Sequence, residues 1–490
     1  MPTILFVMPE PGYLRLYATT LLGLAGRGHD VRVAYDKPSR KNRNADALDG
    51  APPTLTTIGA VPPHGGPWRQ ALSDLGCTVD YIRFLSRDGT PYLRSRMDRY
   101  LPAKAAGLRR LESLPAWAVR GLAGAAALVE RAVPVDPSLT RYLAAQQLDA
   151  LVVTPLVLRG PSGVQQHQLV KAARVAGIPV ALAVGSWDHL SSKGLLRVEP
   201  DLVIVWNDVQ RREAMEQHGV PAERLVVTGA QPFDLWFGHQ PTLGRAEFCA
   251  RVGLPADRPM VLYAGSSRGI ADPAIEIPFV RRWLEAVRDA GDATVREAAV
   301  LVRPHLSNVE AWTGVDLSGL GNVSIWPRVR PSLPMNELET SDYFHSIHYS
   351  AAVVGINTSA MIEASILDKP VLTVEGADFA ATQGGTKHFH YLVPRGGGCV
   401  LSAPTFEVHV EQLANAVADP SRGRADRARF VASFVRPNGL ARPAVESVVQ
   451  AIERLTTLRP RRQPDRPAWL APLRWVFRLA TARTPPEPAG

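Results

Sequence analysis

The chain has 490 residues, 46% of them hydrophobic and 21% charged, which excludes an intrinsically disordered protein and leaves room for two or three domains. Three distant cysteines, Cys77, Cys249 and Cys399, exclude a disulfide scaffold and a cysteine-based zinc site, and fit a reducing cytoplasm. The net charge of +9 is carried mainly by arginine, since only seven of the 55 basic residues are lysine, and it is concentrated locally. Eight bases and two acids fall in 83–110, and seven arginines and two acids in 458–490, a pattern that points to an anionic partner.

The N-terminal MPTILFVMPE has no basic segment before its apolar run, so no signal peptide is expected. ILFVM (4–8) reads as a buried parallel strand, PEPGY as a turn containing Gly12, and LRLYATTLLGLAGRG as a helix stopping at Gly26 and Gly28. VRVAY (31–35) is a second strand. Residues 38–68 are rich in Pro, Gly and polar residues and predict a loop, while 69–148 predict a mainly helical, basic insertion. The longest apolar stretch, 116–134, is broken by Arg120, Glu130 and Arg131, and nothing reaches the roughly 18 apolar residues of a membrane span. Strands follow at 149–154, 178–184, 201–206 and 224–229, with helices at 162–176 and 207–218.

A second βα series begins after 235. Strands are predicted at 259–265, 298–304, 351–356 and 369–374, and helices at 276–290, 358–367, 405–418, 423–435 and 441–457. This predicts an N-terminal domain over 1–238, a C-terminal domain over 239–457 and a tail over 458–490. Ligands in such sheets bind at the carboxyl ends of strands, so a cleft between two facing sheets is the expected site.

Four segments carry candidate chemistry. VGSWDHLSSKG (184–194) concentrates Asp188, His189 and Lys193 in one loop beyond a strand, with Trp187 offering a flat face; the plain alternative is a solvated loop with an Asp cap. LYAGSSRG (262–269) places Ser266 and Ser267 in a small-residue turn through which a phosphate could approach the backbone, or is an ordinary βα turn. LVRPHLSN (301–308) places Arg303 and His305 just past a buried strand, a pair able to neutralise a departing phosphate, or a surface histidine. In AAVVGINTSAMIEASILDKPVLTV (351–374), Asn357, Thr358 and Ser359 open a helix, and Glu363 lies one turn up from Ser359. A carboxylate there could accept two hydrogen bonds from a ribose diol; the alternative is a capped helix with an exposed Glu.

D-x-D, H-E-x-x-H and Walker A patterns are absent, and His345 and His348 lack further ligands, so no metal is expected. In the Pro-rich tail, Trp469, Leu470, Leu473, Val476, Phe477 and Ala480 form one apolar helical stripe flanked by Arg474 and Arg478. Such a helix suits an anionic membrane surface, or packs on its own domain.

Together these segments resemble glycosyltransferases built from two Rossmann-like domains, the GT-B type, and more narrowly the CDP-glycerol glycerophosphotransferase group. SWDHLSSKG stands where that group has W-H-G-x-P-x-K-x-x-G, and Arg303-Pro304-His305 is similar to its R-x-H turn. INTSAMIEASILDKPVL resembles its D-Y-S-S helix followed by K-P-hydrophobic, and PDLVIVWNDVQRREAMEQHGVPAERLVVTGAQPFDLW its strand–helix–strand–G-x-P-x-x-D connection. The resemblance covers roughly 178–375. Asp188 replaces the group's loop histidine, with His189 one place on, and Asn357-Thr358 replaces Asp-Tyr. Glu363 is closer to the nucleotide-sugar pattern of glycosyltransferases and UDP-GlcNAc 2-epimerases.

The resemblance implies an α/β protein with two Rossmann-like domains facing each other across a cleft. It implies an enzyme moving a sugar from a nucleotide-activated donor to a hydroxyl of a cell-surface glycan or lipid-linked acceptor, without a metal or cofactor. Ser266, Ser267, Thr358 and Ser359 would hold the diphosphate, and Glu363 the ribose. Arg303 and His305 would stabilise the leaving phosphate. Asp188 or His189 would be the general base, with Gly12, Trp187 and Lys193 on the acceptor side. The alternatives are a glycerophosphate transferase with a CDP-polyol donor, a UDP-GlcNAc 2-epimerase-like enzyme, and a non-catalytic nucleotide- or glycan-binding protein. Only net charge supports nucleic-acid binding, which is not expected. The expected location is the cytoplasm, at the inner face of the plasma membrane.

Overall fold

The structure, a computed structural model, describes residues 1–37, 48, 50–64, 68–86, 91–330, 337–460 and 468–482. The chain divides into two compact units, Met1–Pro232 with Arg436–Gly490, and Phe233–Val435.

The first unit holds a seven-stranded parallel sheet: β1 (Thr3–Met8), β2 (Asp30–Tyr35), β3 (Leu55–Ala60), β4 (Ala150–Val153), β5 (Val180–Ala183), β6 (Leu202–Val205) and β7 (Leu225–Val227). The order is β3-β2-β1-β4-β5-β6-β7. Alternate side chains of each strand feed opposite cores. Leu5, Val7, Leu151, Val153 and Leu182 face one core, and Ile4, Phe6, Ala150, Val152 and Ala181 the other. This explains why the strands read as unbroken apolar runs rather than alternating ones.

The second unit holds a six-stranded parallel sheet: β8 (Met260–Ala264), β9 (Ala299–Arg303), β10 (Val323–Ile325), β11 (Ala352–Gly355), β12 (Val371–Val374) and β13 (Leu401–Ala403). Its order is β10-β9-β8-β11-β12-β13. Strand order therefore reverses between β1 and β4 in one sheet and between β8 and β11 in the other. Such switch points open a crevice at the carboxyl ends of the strands.

Three features depart from the sequence expectation. Residues 38–68 were expected to be loop, yet β3 pairs in parallel with β2; its outward Thr56, Thr57 and Gly59 hide the strand, as an edge position allows. The C-terminal helix Ala444–Thr457, expected in the second domain, belongs to the first unit. Its stripe Val448, Val449, Ile452 and Leu455 completes the core formed by Leu14, Leu21 and Leu24 of the helix Leu14–Gly26. Glu453 there pairs with Arg27 at 3.0 Å. The tail stripe is also partly turned inward. Leu470 is buried, and Phe477 meets Trp68 edge-on at 4.7 Å, so part of the stripe packs on its own unit. The side chains of Val476, Arg478 and Ala480 lie outside the described residues.

Candidate functional site

In the second unit the predicted segments meet at the switch point. Gly265 leaves β8 so close to the β9 turn that a Cβ there would lie 2.8 Å from the His305 nitrogen, which explains why glycine stands there. Ser266 is fully buried. Its hydroxyl accepts the Asn357 N–H at 3.3 Å, tying the β8 turn to the β11 turn, and its own N–H donates to Glu276 Oε1 at 3.0 Å. Asn308 Nδ2 donates to its carbonyl at 3.0 Å. Ser266 is thus a latch within the turn, whereas Ser267 is partly open. Burial pushes the Glu276 carboxyl from its ordinary 4.5 up to about 7, against the opposing hydrogen bonds from the Ser266 N–H and Tyr263.

Arg303 ends β9, nearly buried. Its Nη1 donates to Ser346 Oγ at 3.2 Å, and its guanidinium lies 5.1 Å from the centre of the Tyr343 ring. Burial lowers it to about 10, partly offset by Tyr343 and Asp342, so it stays charged at neutral pH. The Tyr343 hydroxyl donates to Glu363 Oε2. Tyr343 thereby joins two segments that are 60 residues apart in sequence, Arg303 and Glu363. The Ser307 N–H donates to His305 Nδ1 at 3.1 Å. That nitrogen is then an acceptor, and a neutral His305 carries its proton on Nε2, a donor to an approaching oxygen.

The helix after β11 begins at Ala360, with Thr358 partly open and Ser359 exposed just before it. Asn357, by contrast, is buried. Its Nδ2 donates to the Thr382 carbonyl at 2.8 Å, with Thr386 Oγ1 at 3.4 Å and His388 Nε2 at 3.3 Å. His345 turns a different way. Its Nε2 accepts the N–H groups of Thr242 (3.0 Å) and Leu243 (3.2 Å), which clasp a loop.

In the first unit the loop after β5 carries the other candidates. Asp188 accepts from Ser186 Oγ at 2.6 Å and Ser192 Oγ at 2.8 Å, with Lys193 Nζ at 3.4 Å. Three cationic or hydroxyl partners thus hold one partly open carboxylate in a fixed orientation. His189 and Trp187 are both buried, so the expected open face of Trp187 is absent. Burial drives His189 down to about 4, with Asp188 opposing, so the ring is neutral at physiological pH. Gly12 lies in the turn after β1, with ordinary space for a Cβ. Next to it Tyr13 is pushed up to about 12 by burial and by Asp188 and Glu10, which sets the β1 turn beside the β5 loop.

Several site residues carried no readable motif. The helical insertion supplies Asp80, which accepts the Leu195 N–H at 2.7 Å, and Arg83, which donates to the Lys193 carbonyl at 3.3 Å. Arg159 Nη2 donates to the Ser192 carbonyl at 2.9 Å. The insertion thus braces the Asp188 loop. Asp36, at the end of β2, is raised to about 7 by burial and accepts from Gln166 Nε2 at 2.7 Å. Asn308 was visible in LVRPHLSN as a small polar residue after a strand, but Tyr343 had no such signal.

No family model and no curated protein matches this sequence. Solved structures do match in fold. A glycosyltransferase from Rickettsia africae ESF-5 is 11% identical, with a TM-score of 0.53 over 93% of this chain and 99% of that one. UDP-GlcNAc 2-epimerase from Neisseria meningitidis, bound to UDP-GlcNAc, is 13% identical, with a TM-score of 0.51 over 92% of this chain and 100% of that one. Anabaena HepE, in complex with UDP and glucose, is 11% identical, with a TM-score of 0.50 over 94% of this chain and 100% of that one. The chain therefore has the α/β, GT-B-type fold shared by glycosyltransferases and UDP-GlcNAc 2-epimerases.

Proposed function

We propose that the chain is a glycosyltransferase that moves a sugar from a nucleotide-activated donor to a hydroxyl of a cell-surface glycan or lipid-linked acceptor, working in the cytoplasm. The observation that carries this reading is the Arg303–Tyr343–Glu363 network beside the second sheet's switch point. It sets a buried cation and a carboxylate in fixed relation, as a nucleoside diphosphate requires at its phosphate and ribose ends. Glu363 accepts from the ribose hydroxyls, and Ser267, Thr358 and Ser359 offer donors to the diphosphate. Arg303 and the Nε2–H of His305 stabilise charge on the departing phosphate, so this reading requires no metal. Asp188, partly open and held by Ser186, Ser192 and Lys193, is favoured over buried His189 as the base that takes the acceptor proton. Ser266, buried and already bonded, organises the turn rather than the ligand. The two neighbours bound to UDP-GlcNAc or UDP add weight to a nucleotide-sugar donor. The sequence likeness to CDP-glycerol transferases keeps a CDP-polyol donor as the second reading.

A thermal-shift panel with UDP, CDP, GDP and dTDP, run beside Glu363→Ala, tests this. A nucleotide at a hundred times its Kd stabilises by about 2.7 kcal/mol. A response to UDP, GDP or dTDP that is lost in the variant supports the sugar reading, and a response to CDP the polyol reading. No response to any of them overturns the site.

A further inference from the structure

The helix Ala116–Ala132 has an unusual placement for its composition. AWAVRGLAGAAALVERA is largely apolar, yet only Ala132 is buried. Of its exposed positions, Trp117, Arg120, Gly121, Gly124, Ala125 and Arg131 recur at i, i+3, i+4, i+7, i+8 and i+14, which is one helical face, while exposed Ala116 and Leu122 flank it. No acid lies on that face, because Glu130 is turned away to pair with Arg197 at 2.8 Å. Trp117 is 72% exposed.

The helix Ala471–Ala482 packs beside this one. Buried Leu470 and the Phe477–Trp68 contact anchor the segment, leaving Trp469 and Trp475 each 63% exposed. The surrounding charge is predominantly positive. Residues 91–132 hold eight bases and three acids, and 468–482 hold two bases and no acid. Two of those three acids are already paired, Asp98 with Arg109 at 2.7 Å and Glu130 with Arg197.

We propose that this face of the first unit, Trp117 with Trp469 and Trp475 among the arginines, docks on a bilayer surface that carries anionic lipids. Indole rings settle at the boundary between headgroups and acyl chains, and each nearby Arg or Lys adds electrostatic attraction to such a surface. A second copy of the chain is a poor occupant, since it would set one basic face against another. The inference keeps Trp469 of the tail stripe expected in the sequence, whose Leu470 and Phe477 turn inward, and adds Trp475 and the Ala116–Ala132 face. It stands on the first unit alone and does not depend on the nucleotide site.

The test is co-sedimentation of the full chain with phosphatidylcholine vesicles and with vesicles containing phosphatidylglycerol, against the triple variant Trp117→Ser, Trp469→Ser, Trp475→Ser. The wild type is expected to prefer the anionic vesicles by about tenfold or more, and to lose that preference as salt rises. The triple variant, whose changed side chains are all largely exposed, is expected to keep its melting temperature and to bind about tenfold or more weaker. The pair Arg120→Gln and Arg131→Gln is expected to weaken anionic binding while leaving binding to neutral vesicles unchanged, a readout independent of the tryptophans. No sedimentation with either vesicle, equal partition between them, or unaltered binding by both variants overturns the proposal. So does a wild-type dimer that the triple variant converts to monomer, which would make the face a contact between copies.

Discussion

Glu276→Gln separates the electrostatic cost of a buried carboxylate from its hydrogen bonding. Glu276 is fully buried, and Oε1 accepts from the Ser266 N–H at 3.0 Å and from Tyr263 at 3.3 Å, while Oε2 has no partner. Its pKa rises from 4.5 to about 7 on folding. The folded state then binds more protons than the unfolded chain across that window, so stability falls as pH rises through it and is constant above it. At 1.36 kcal/mol per unit, the loss amounts to about 3 kcal/mol.

Glutamine keeps an oxygen for Ser266 and Tyr263 and carries no charge. Its amide nitrogen takes the place of Oε2 and finds no acceptor there, which costs about 1–3 kcal/mol at every pH. The informative quantity is therefore the change with pH of the stability difference between variant and wild type. Asp36, which titrates in a similar range, cancels from that difference because both proteins contain it. Urea unfolding from mildly acid to mildly alkaline buffer is expected to show the variant gaining about 3 kcal/mol relative to wild type as pH rises. A difference that stays flat across that range would mean that Glu276 is not a desolvated acid, and would refute the reasoning.

Asp80→Ala leaves Arg159 and Arg197, each 3.8 Å from the lost carboxylate, buried without it and frees the Leu195 N–H. It is expected to destabilise the chain by about 3–5 kcal/mol, measured by chemical unfolding. Gly185→Ala puts a Cβ 2.7 Å from the Tyr17 hydroxyl, which bonds Thr154 and the Ala183 carbonyl. A loss of about 1–3 kcal/mol is expected, smaller in a Tyr17→Phe background, and a double-mutant cycle reads the coupling. His189 is expected to stay neutral above about pH 5, since its pKa is held near 4. Transfer activity of His189→Asn should therefore keep the wild-type shape of its pH profile, whatever its height; an acid limb that moves in the variant would show that His189 titrates in turnover.

Both sheets were legible because parallel strands buried on two faces leave an unbroken apolar signature, as at 4–8, 202–206 and 298–302. Strands that carry hydroxyls at a sheet edge were not legible. β3 shows Thr56 and Thr57 outward, and β10 and β13 are three residues long with a serine at the centre. The candidate loops were readable for a related reason: each follows a legible strand, and strand ends are where backbone groups and small polar side chains stand open.

What joins those loops was hidden, because a contact between distant segments leaves no local periodicity. Tyr343 reads as one more aromatic on a helix, yet its ring meets Arg303 and its hydroxyl meets Glu363. Asp80 reads as a charge within a basic insertion, yet it accepts the Leu195 N–H and sits among three buried guanidinium groups. Burial also reversed two expectations drawn from residue type. Ser266 and Trp187, expected to face ligands, are spent inside their turns, while the open groups are Ser267, Thr358, Ser359 and Asp188. Residue type alone was therefore a poor guide to which of two adjacent residues faces outward. The backbone contributes to that choice where glycine lets elements approach: a Cβ at Gly265, after β8, would lie 2.8 Å from the His305 backbone nitrogen, and one at Gly185, after β5, 2.7 Å from the Tyr17 hydroxyl.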